Sequence, residues 1–295
     1  MSELLKLAAE NLPKLARRPR DGHKGVFGKI LVLGGSRRMI GAPALAGQGA
    51  LRGGAGLVTI ATPGPVQLAV AMLCECATTV PLACDTSNRL AQQALSQFSR
   101  AIDACDVIVA GCGFAVGTEQ QNFIRMIIEQ SKPVVLDADG LNNLSQISDW
   151  PSLRRCPLVL TPHPGEFARL RGCDTPADPQ GRLDAAVAAA REYSSAGEVT
   201  VVLKGAGTVV TDGREVFVNA TGNPGMATGG SGDILAGLIG GLTMQGLSLL
   251  KAACLGVHIH GLAGDITAAE LTEQAMTAAD ILERIPAAMK NFVES

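Results

Sequence analysis

Asn223-Pro224-Gly225-Met226-Ala227-Thr228-Gly229-Gly230-Ser231-Gly232-Asp233 is the stretch on which the reading of the fold turns. Five glycines lie between Gly222 and Gly232, and the composition then changes abruptly. Ile234, Leu235, Leu238, Ile239 and Leu242 follow at the spacing of one helix face. A glycine-rich loop therefore feeds directly into a helix, with Asp233 in its first turn. A helix start carries unpaired N–H groups and the positive end of the helix dipole, so this junction suits an anion, phosphate above all. It is not a Walker loop, which closes with Gly-Lys-Ser/Thr; here Ser231-Gly232-Asp233 follow Gly230. A carboxylate repels a phosphate but can align or deprotonate a hydroxyl that attacks phosphorus. The plainer reading of Asp233 is a helix cap that complements the dipole; the glycines weigh toward chemistry.

Upstream of this loop the chain alternates short aliphatic runs with helical patterns. Lys29–Leu33 ends in Gly34-Gly35-Ser36, and a small-residue helix pattern runs from about Ala42 to Arg52. Leu57–Ala61, Asp106–Ala110, Pro133–Leu136, Leu158–Leu160 and Thr200–Leu203 continue the series, with helical patterns after Pro65 and from about Glu119 to Gln130. This is the signature of an α/β fold, a mostly parallel central sheet with helices on both faces. Thr208–Thr211 and Glu215–Val218, joined through Asp212-Gly213, read as an appended antiparallel hairpin. Residues 3–17 read as an amphipathic helix through Leu4, Leu5, Ala8, Leu12 and Leu15, with Pro13 weakening its second half. The economical division is an N-terminal helix and extension over 1–20 and a single domain over 21–295. Most strands end in glycine or polar clusters, and in open parallel sheets those carboxyl ends form the ligand crevice.

A net charge of −2 gives no electrostatic case for nucleic acid or an anionic membrane surface. With 47% hydrophobic but only 3% aromatic residues, the core must be aliphatic and the backbones closely packed. The first twenty residues hold no apolar run like a signal peptide's, no apolar run of about 18 residues occurs, and the eight cysteines show no paired zinc spacing. A cytoplasmic protein with reduced thiols is expected.

Other motifs carry weaker signals. Gly111-Cys112-Gly113 through Gly117 has the wrong spacing for a dinucleotide fingerprint. Lys204-Gly205-Ala206-Gly207-Thr208 reads either as a surface turn or as a backbone approach to a nucleotide, with Lys204 supplying charge. His163, between Pro162 and Pro164, is either a rigid turn whose imidazole caps something or a substrate contact. Cys254, His258 and His260 do not share one helix face, so zinc is disfavoured. Asp137 and Asp139 could pair near Mg²⁺, and Asp139 could cap a short helix containing Leu141 and Leu144.

Taken in order, these motifs resemble one family: His23-Lys24-Gly25 through Gly28, Gly34–Ser36, Gly41-Ala42, Leu136–Asp139, Thr161–Glu166, Lys204–Thr208 and Gly225–Asp233. The chain is similar over about 20–290 to the ADP- or ATP-dependent NAD(P)H-hydrate dehydratases of the ribokinase-like superfamily. The resemblance implies a three-layer ribokinase-like sandwich and dehydration of the (S)-hydrate of NADH or NADPH. The ring hydroxyl would be phosphorylated by ADP or ATP, with Mg²⁺, and phosphate would leave to restore the double bond. By position it implies Asp233 as catalytic base, Ala42, Gly113, His163 and Asp233 as substrate contacts, and Lys204 to Thr208 with Gly232 as nucleotide contacts. The N–H groups of Gly229, Gly230 and Gly232 would form the anion hole, and no residue is assigned as a metal ligand. A homo-oligomer working with a separate epimerase, and with neither nucleic acid nor membrane, is also implied. Two departures are visible: no epimerase domain fits in the first 20 residues, and Gly140 stands where alanine is expected after Asp-Ala-Asp. A vitamin kinase for a hydroxymethyl-pyrimidine or thiazole alcohol, or a nucleotide sensor without turnover, are the alternatives.

Overall fold

The computed structural model describes residues 4–86 and 90–294. Its strands are β1 (Leu5–Leu7), β2 (Lys29–Leu33), β3 (Leu57–Pro63), β4 (Thr78–Leu82), β5 (Val107–Ala110), β6 (Val134–Leu136), β7 (Leu158–Leu160), β8 (Val199–Leu203), β9 (Val209–Thr211) and β10 (Glu215–Val218). The helices are α1 (Gly41–Arg52), α2 (Gln67–Leu73), α3 (Ala94–Asp103), α4 (Thr118–Ile128), α5 (Asp139–Leu144), α6 (Trp150–Leu153), α7 (Pro164–Arg171), α8 (Pro179–Tyr193), α9 (Ser231–Thr243), α10 (Leu249–Leu271) and α11 (Ala278–Met289).

These strands form one sheet in the order β1-β10-β9-β8-β7-β6-β5-β2-β3-β4. From β8 to β4 every pairing is parallel, and β9 is antiparallel to both β8 and β10. The hairpin is thus where the Asp-Gly turn places it, with Asp212 Oδ1 accepting from the N–H groups of Arg214 and Glu215.

Alternation along each strand divides the core in two. Ile30, Val32, Val107 and Val109 face one side with α1, α9, α10 and α11. Leu31, Leu33, Ile108 and Ala110 face the other with α3, α4, α5 and α8. The outcome is the expected three-layer α/β sandwich.

The N-terminal expectation fails. Leu5–Leu7 form a strand parallel to β10, pairing Leu5 with Glu215 and Leu7 with Phe217, and a 3-10 turn at Ala9–Asn11 follows. No α-helix forms over 4–17, and Met1 to Glu3 lie outside the described residues. The β10 edge offers ladder partners about 210 residues downstream, which local periodicity cannot see, and Pro13 removes a helix donor. The apolar spacing did identify buried side chains: Leu12 and Leu15 reach the core, and Leu15 bridges to Val293.

The placement of α9 depends on a seam of small residues against α1. A Cβ on Gly237 would stand 1.9 Å from the Ala46 carbonyl, one on Gly241 2.4 Å from that of Ala50, and one on Gly49 2.4 Å from that of Ile234. The two backbones are in contact, so the seam cannot relax around an added methyl. Gly237→Ala should therefore lose at least about 1–3 kcal/mol and shift the Asp233 end of α9. Thermal melts should show a clear fall in Tm for this variant. Gly172→Asn, at a left-handed position with open space around it, should leave Tm nearly unchanged.

Candidate active site

The carboxyl ends of the adjacent parallel strands β2, β5, β6, β7 and β8 carry Gly34–Ser36, Gly111–Gly113, Asp137–Asp139, Thr161–Glu166 and Lys204–Thr208. The α9 N-terminus lies over this edge. A Cβ on Gly232 would sit 3.2 Å from Lys204 Nζ and 3.5 Å from Asp137 Oδ2.

The loop leading into α9 is fixed from several sides. Asn223 Oδ1 accepts from Gly225 N at 3.0 Å, while Asp265 on α10 accepts from Gly222 N and from Asn223 Nδ2. Gly230 takes a φ of +97° at the N-cap, a conformation natural to glycine. Ser231 Oγ lies 3.4 Å from Nε2 of the buried His260, whose pKa burial lowers to about 4, so that ring is neutral near pH 7. Among the described residues, the N–H groups of Gly229, Gly230 and Gly232 have no backbone partner, leaving them available to an anion.

Asp233 shares its surroundings with a second acid. Atoms of Cys112, Asp137 and Asp233 lie within 4.8 Å of one another. Burial first, and the Asp137 carboxylate second, push the Asp233 pKa up to about 7; the Cys112 thiol and Lys204 pull it down. Its helix-terminal position alone would favour ionisation, but desolvation outweighs that effect here. Asp137, buried, is bound at 2.6 Å by Lys204 Nζ and at 2.8 Å by Thr161 Oγ1. Burial opposes the Lys204 charge, yet Asp137 and Glu166 together hold its pKa above the ordinary value. Cys112 is fully buried, which keeps its thiol protonated.

Asp137 and Asp139 do not act as a pair. Ala138 between them adopts φ +50°, a strained conformation for a residue with a Cβ, and it turns the two carboxylates to different tasks. Asp139 Oδ2 accepts from Ala115 N at 2.8 Å and Oδ1 from Asn142 Nδ2 at 3.2 Å. It is the first residue of α5 and supplies no side-chain cap, contrary to expectation. Gly140 is accounted for by packing, since a Cβ there would meet the Ala110 carbonyl at 2.8 Å.

His163 is the N-cap of α7. Its Nδ1 accepts from Gly165 N and Glu166 N, and the Glu166 carboxylate accepts from His163 N in return. With Nδ1 an acceptor, the proton of the neutral ring belongs on Nε2, 3.3 Å from Glu166 Oε1. Burial, Lys204 and Arg169 hold the His163 pKa below its usual value, in keeping with that neutral form. The capping reading of this histidine is therefore realised, and its half-exposed ring borders the same crevice. Ala42 and Gly113 meet across the β2–β5 boundary, a Cβ on Gly113 lying 3.0 Å from that of Ala42. Gly205, Ala206 and Gly207 form the exposed tip of the segment after β8, and Thr208 Oγ1 ties back to Gly205.

Asp233, Gly232, Lys204 and Asp137 thus meet at one point, with Cys112 behind them. No local signal in the sequence marks Cys112 as a neighbour of Asp233. Among the described residues, Cys254, His258 and His260 form no convergent ligand set.

A carboxylate poised at a helix start over parallel strand ends, with a lysine from a neighbouring strand, now has a family context. The family model for NAD(P)H-hydrate dehydratase matches residues 30–287. The chain belongs to the NAD(P)H-hydrate dehydratase family. It is 41% identical to the ADP-dependent (S)-NAD(P)H-hydrate dehydratase of Neisseria meningitidis serogroup B, over 92% of this chain and 87% of that one. Its fold matches a ribokinase-like superfamily protein of Enterococcus faecalis at a TM-score of 0.80 and 26% identity, covering 99% and 97% of the two chains. It also matches the ADP/ATP-dependent NAD(P)H-hydrate dehydratase of Bacillus subtilis, co-crystallized with ATP/Mg²⁺, at 0.75 and 28%, covering 96% and 100%. The chain spans about half the length of the bifunctional NAD(P)H-hydrate repair enzymes that it also matches.

The raised pKa has a consequence for stability. A carboxyl whose folded pKa lies above its unfolded value favours the fold when protonated, so stability is lost as pH rises from about 4 to about 7. Asp233→Asn mimics the neutral acid. It should raise stability at about pH 8 by on the order of 2–4 kcal/mol, with the gain disappearing below about pH 4. Tm curves for the two proteins that superimpose at every pH would mean that Asp233 ionises in the fold as it does in water.

Proposed function

We propose that this chain dehydrates the (S)-hydrate of NADH or NADPH at the expense of ADP or ATP. The observation that carries the reading is Asp233, a base with its pKa near neutrality, set beside unpaired N–H groups at the start of α9. Asp233 accepts the proton of the ring hydroxyl as its oxygen attacks the terminal phosphorus of the nucleotide. The bond from that phosphorus to the bridging oxygen breaks, and the N–H groups of Gly229, Gly230 and Gly232 stabilise charge on the phosphoryl group. The ring C–O bond then cleaves, phosphate leaves with the electron pair, and a proton lost from the neighbouring carbon restores the double bond.

The nucleotide contacts are Lys204, Gly205, Ala206, Gly207, Thr208 and Gly232. Lys204 is placed for this by its proximity to Gly232, and its charge neutralises Asp137 so that the crevice can admit an anion. The hydrate is contacted by Ala42, Gly113, His163 and Asp233, with the imidazole of His163 fixed by its cap on α7.

Mg²⁺ enters as the counter-ion of the nucleotide, one of the substrates. Among the described residues, the one candidate ligand group, Cys112, Asp137 and Asp233, is poorly suited to hold it, because the Cys112 thiol is neutral and Asp137 is taken by Lys204 and Thr161. Mg²⁺ commonly keeps several waters and binds chiefly through substrate phosphates, which suits such a site. A separate epimerase that converts the other epimer is the natural functional partner, and relatives about twice as long are named bifunctional NAD(P)H-hydrate repair enzymes.

Incubation with NAD(P)H hydrate, Mg²⁺ and either ADP or ATP should restore the NAD(P)H absorbance and release one phosphate per turnover. A stable phosphorylated product without free phosphate would instead identify a small-molecule kinase. Asp233→Asn should lower turnover by at least about 10²–10⁴-fold while nucleotide binding survives. Substantial residual turnover in that variant would remove Asp233 from the role of base.

A further inference from the structure

Arg182, on the first turn of α8, is a cation without an acidic partner. Among the described residues it forms no ion pair, and three main-chain carbonyls receive it instead. Its Nη1 donates to Ala206 O at 2.7 Å, and its Nη2 donates to Lys204 O at 3.0 Å and to Leu203 O at 3.4 Å. Its Nε is buried without any partner. Gly205 takes φ +139°, a conformation that residues with a Cβ rarely adopt, and the guanidinium packs beside it, 2.8 Å from where a Cβ would lie.

The effect on the loop is directional. Of the three peptide units it holds, those of Leu203 and Lys204 have their N–H ends taken by Pro162 O and Thr208 Oγ1, and the third, running from Ala206 O to the Gly207 N–H, turns that N–H away from the guanidinium. Among the described residues, the N–H groups of Ala206 and Gly207 have no hydrogen-bond partner, and both residues are exposed. Successive unpaired N–H groups in a tight turn form a concavity that favours anions. The Arg182 charge lies behind the peptide that carries the Gly207 N–H and adds to that preference, while the Ala206 N–H belongs to the neighbouring peptide, whose Gly205 carbonyl accepts from Thr208 Oγ1. Gly207, at φ +63°, completes the turn.

We propose that Arg182 is a positioning residue for the nucleotide, fixing the segment after β8 so that the Ala206 and Gly207 N–H groups receive one of its phosphates. The proposal rests on reading Lys204 to Thr208 as the nucleotide segment. It adds a residue distant in sequence, and it assigns the tip of the loop to a phosphate instead of the nucleoside.

AMP and adenosine separate the phosphate contribution from the rest, and titration calorimetry on the full chain reads both. Arg182→Ala should weaken AMP by about 10-fold or more, the scale of a lost charge-assisted interaction, while adenosine affinity stays unchanged. In steady state the KM for ADP or ATP should rise by a similar factor, with kcat and the KM for the hydrate preserved. Arg182→Lys, which cannot span three carbonyls, should fall between, and millimolar guanidinium should restore AMP binding to Arg182→Ala. Equal loss of AMP and adenosine, or loss of neither, would overturn the proposal. Gly207→Val distinguishes the two levels. If it abolishes AMP binding while Arg182→Ala does not, only the role of Arg182 fails. If Gly207→Val leaves AMP affinity intact, the nucleotide reading of this segment fails with it.

Discussion

Three carboxylates surround one ammonium, but Lys204 pairs with Asp137 and Glu166 and not with Asp233. Lys204 lies 2.6 Å from Asp137 and satisfies that acid first, so Asp233 is left with burial and a like charge beside it. Lys204 and Thr161 both donate to Asp137, while Asp233, without such donors, sits near the edge of ionisation. Each neighbouring group follows from that inequality. The Cys112 thiol is a hydrogen-bond partner of Asp233, and Asp139 is turned away toward Ala115 by the strained Ala138. A base with its pKa near 7 is suited to take a proton late in a largely dissociative phosphoryl transfer, when the acceptor hydroxyl has become acidic.

Such a group must be delivered by a rigid element, and α9 is held rigidly by contact between backbones. The glycines at 49, 237 and 241 bring α1 and α9 to carbonyl distance, and Asp265 on α10 clamps the loop that enters α9. Aromatic side chains are scarce in this protein, and close helix contacts do the packing that large rings would otherwise do. The high glycine content therefore serves two ends, the turn at Gly229–Gly232 with its unpaired N–H groups and the seam beneath it.

Much of this was legible in the sequence because it is local. Aliphatic runs ending in Gly34–Ser36, Gly111–Gly113 and Lys204–Thr208 marked both the parallel strands and the edge where the crevice would open. Asp233 was identifiable because a carboxylate in a glycine-rich helix start has few uses. What stayed hidden depends on partners distant in the chain. Leu5–Leu7 looked helical because its pairing with β10 cannot be seen from spacing, and Arg182 carries no motif because it reads carbonyls, not side chains. The direction of the Asp233 pKa shift was likewise out of reach. A helix terminus argues for ionisation, and only the packed arrangement shows Asp137 and Cys112 beside it.

The pH dependence of kcat for hydrate repair, measured with saturating nucleotide and Mg²⁺, addresses the central claim most directly. If Asp233 is the base and its environment is as described, kcat should fall tenfold per pH unit below an apparent pKa near the value of about 7 reached in the fold. A profile that stays flat down to about pH 5, well below that pKa, would contradict the account, because the reaction would then proceed with Asp233 protonated.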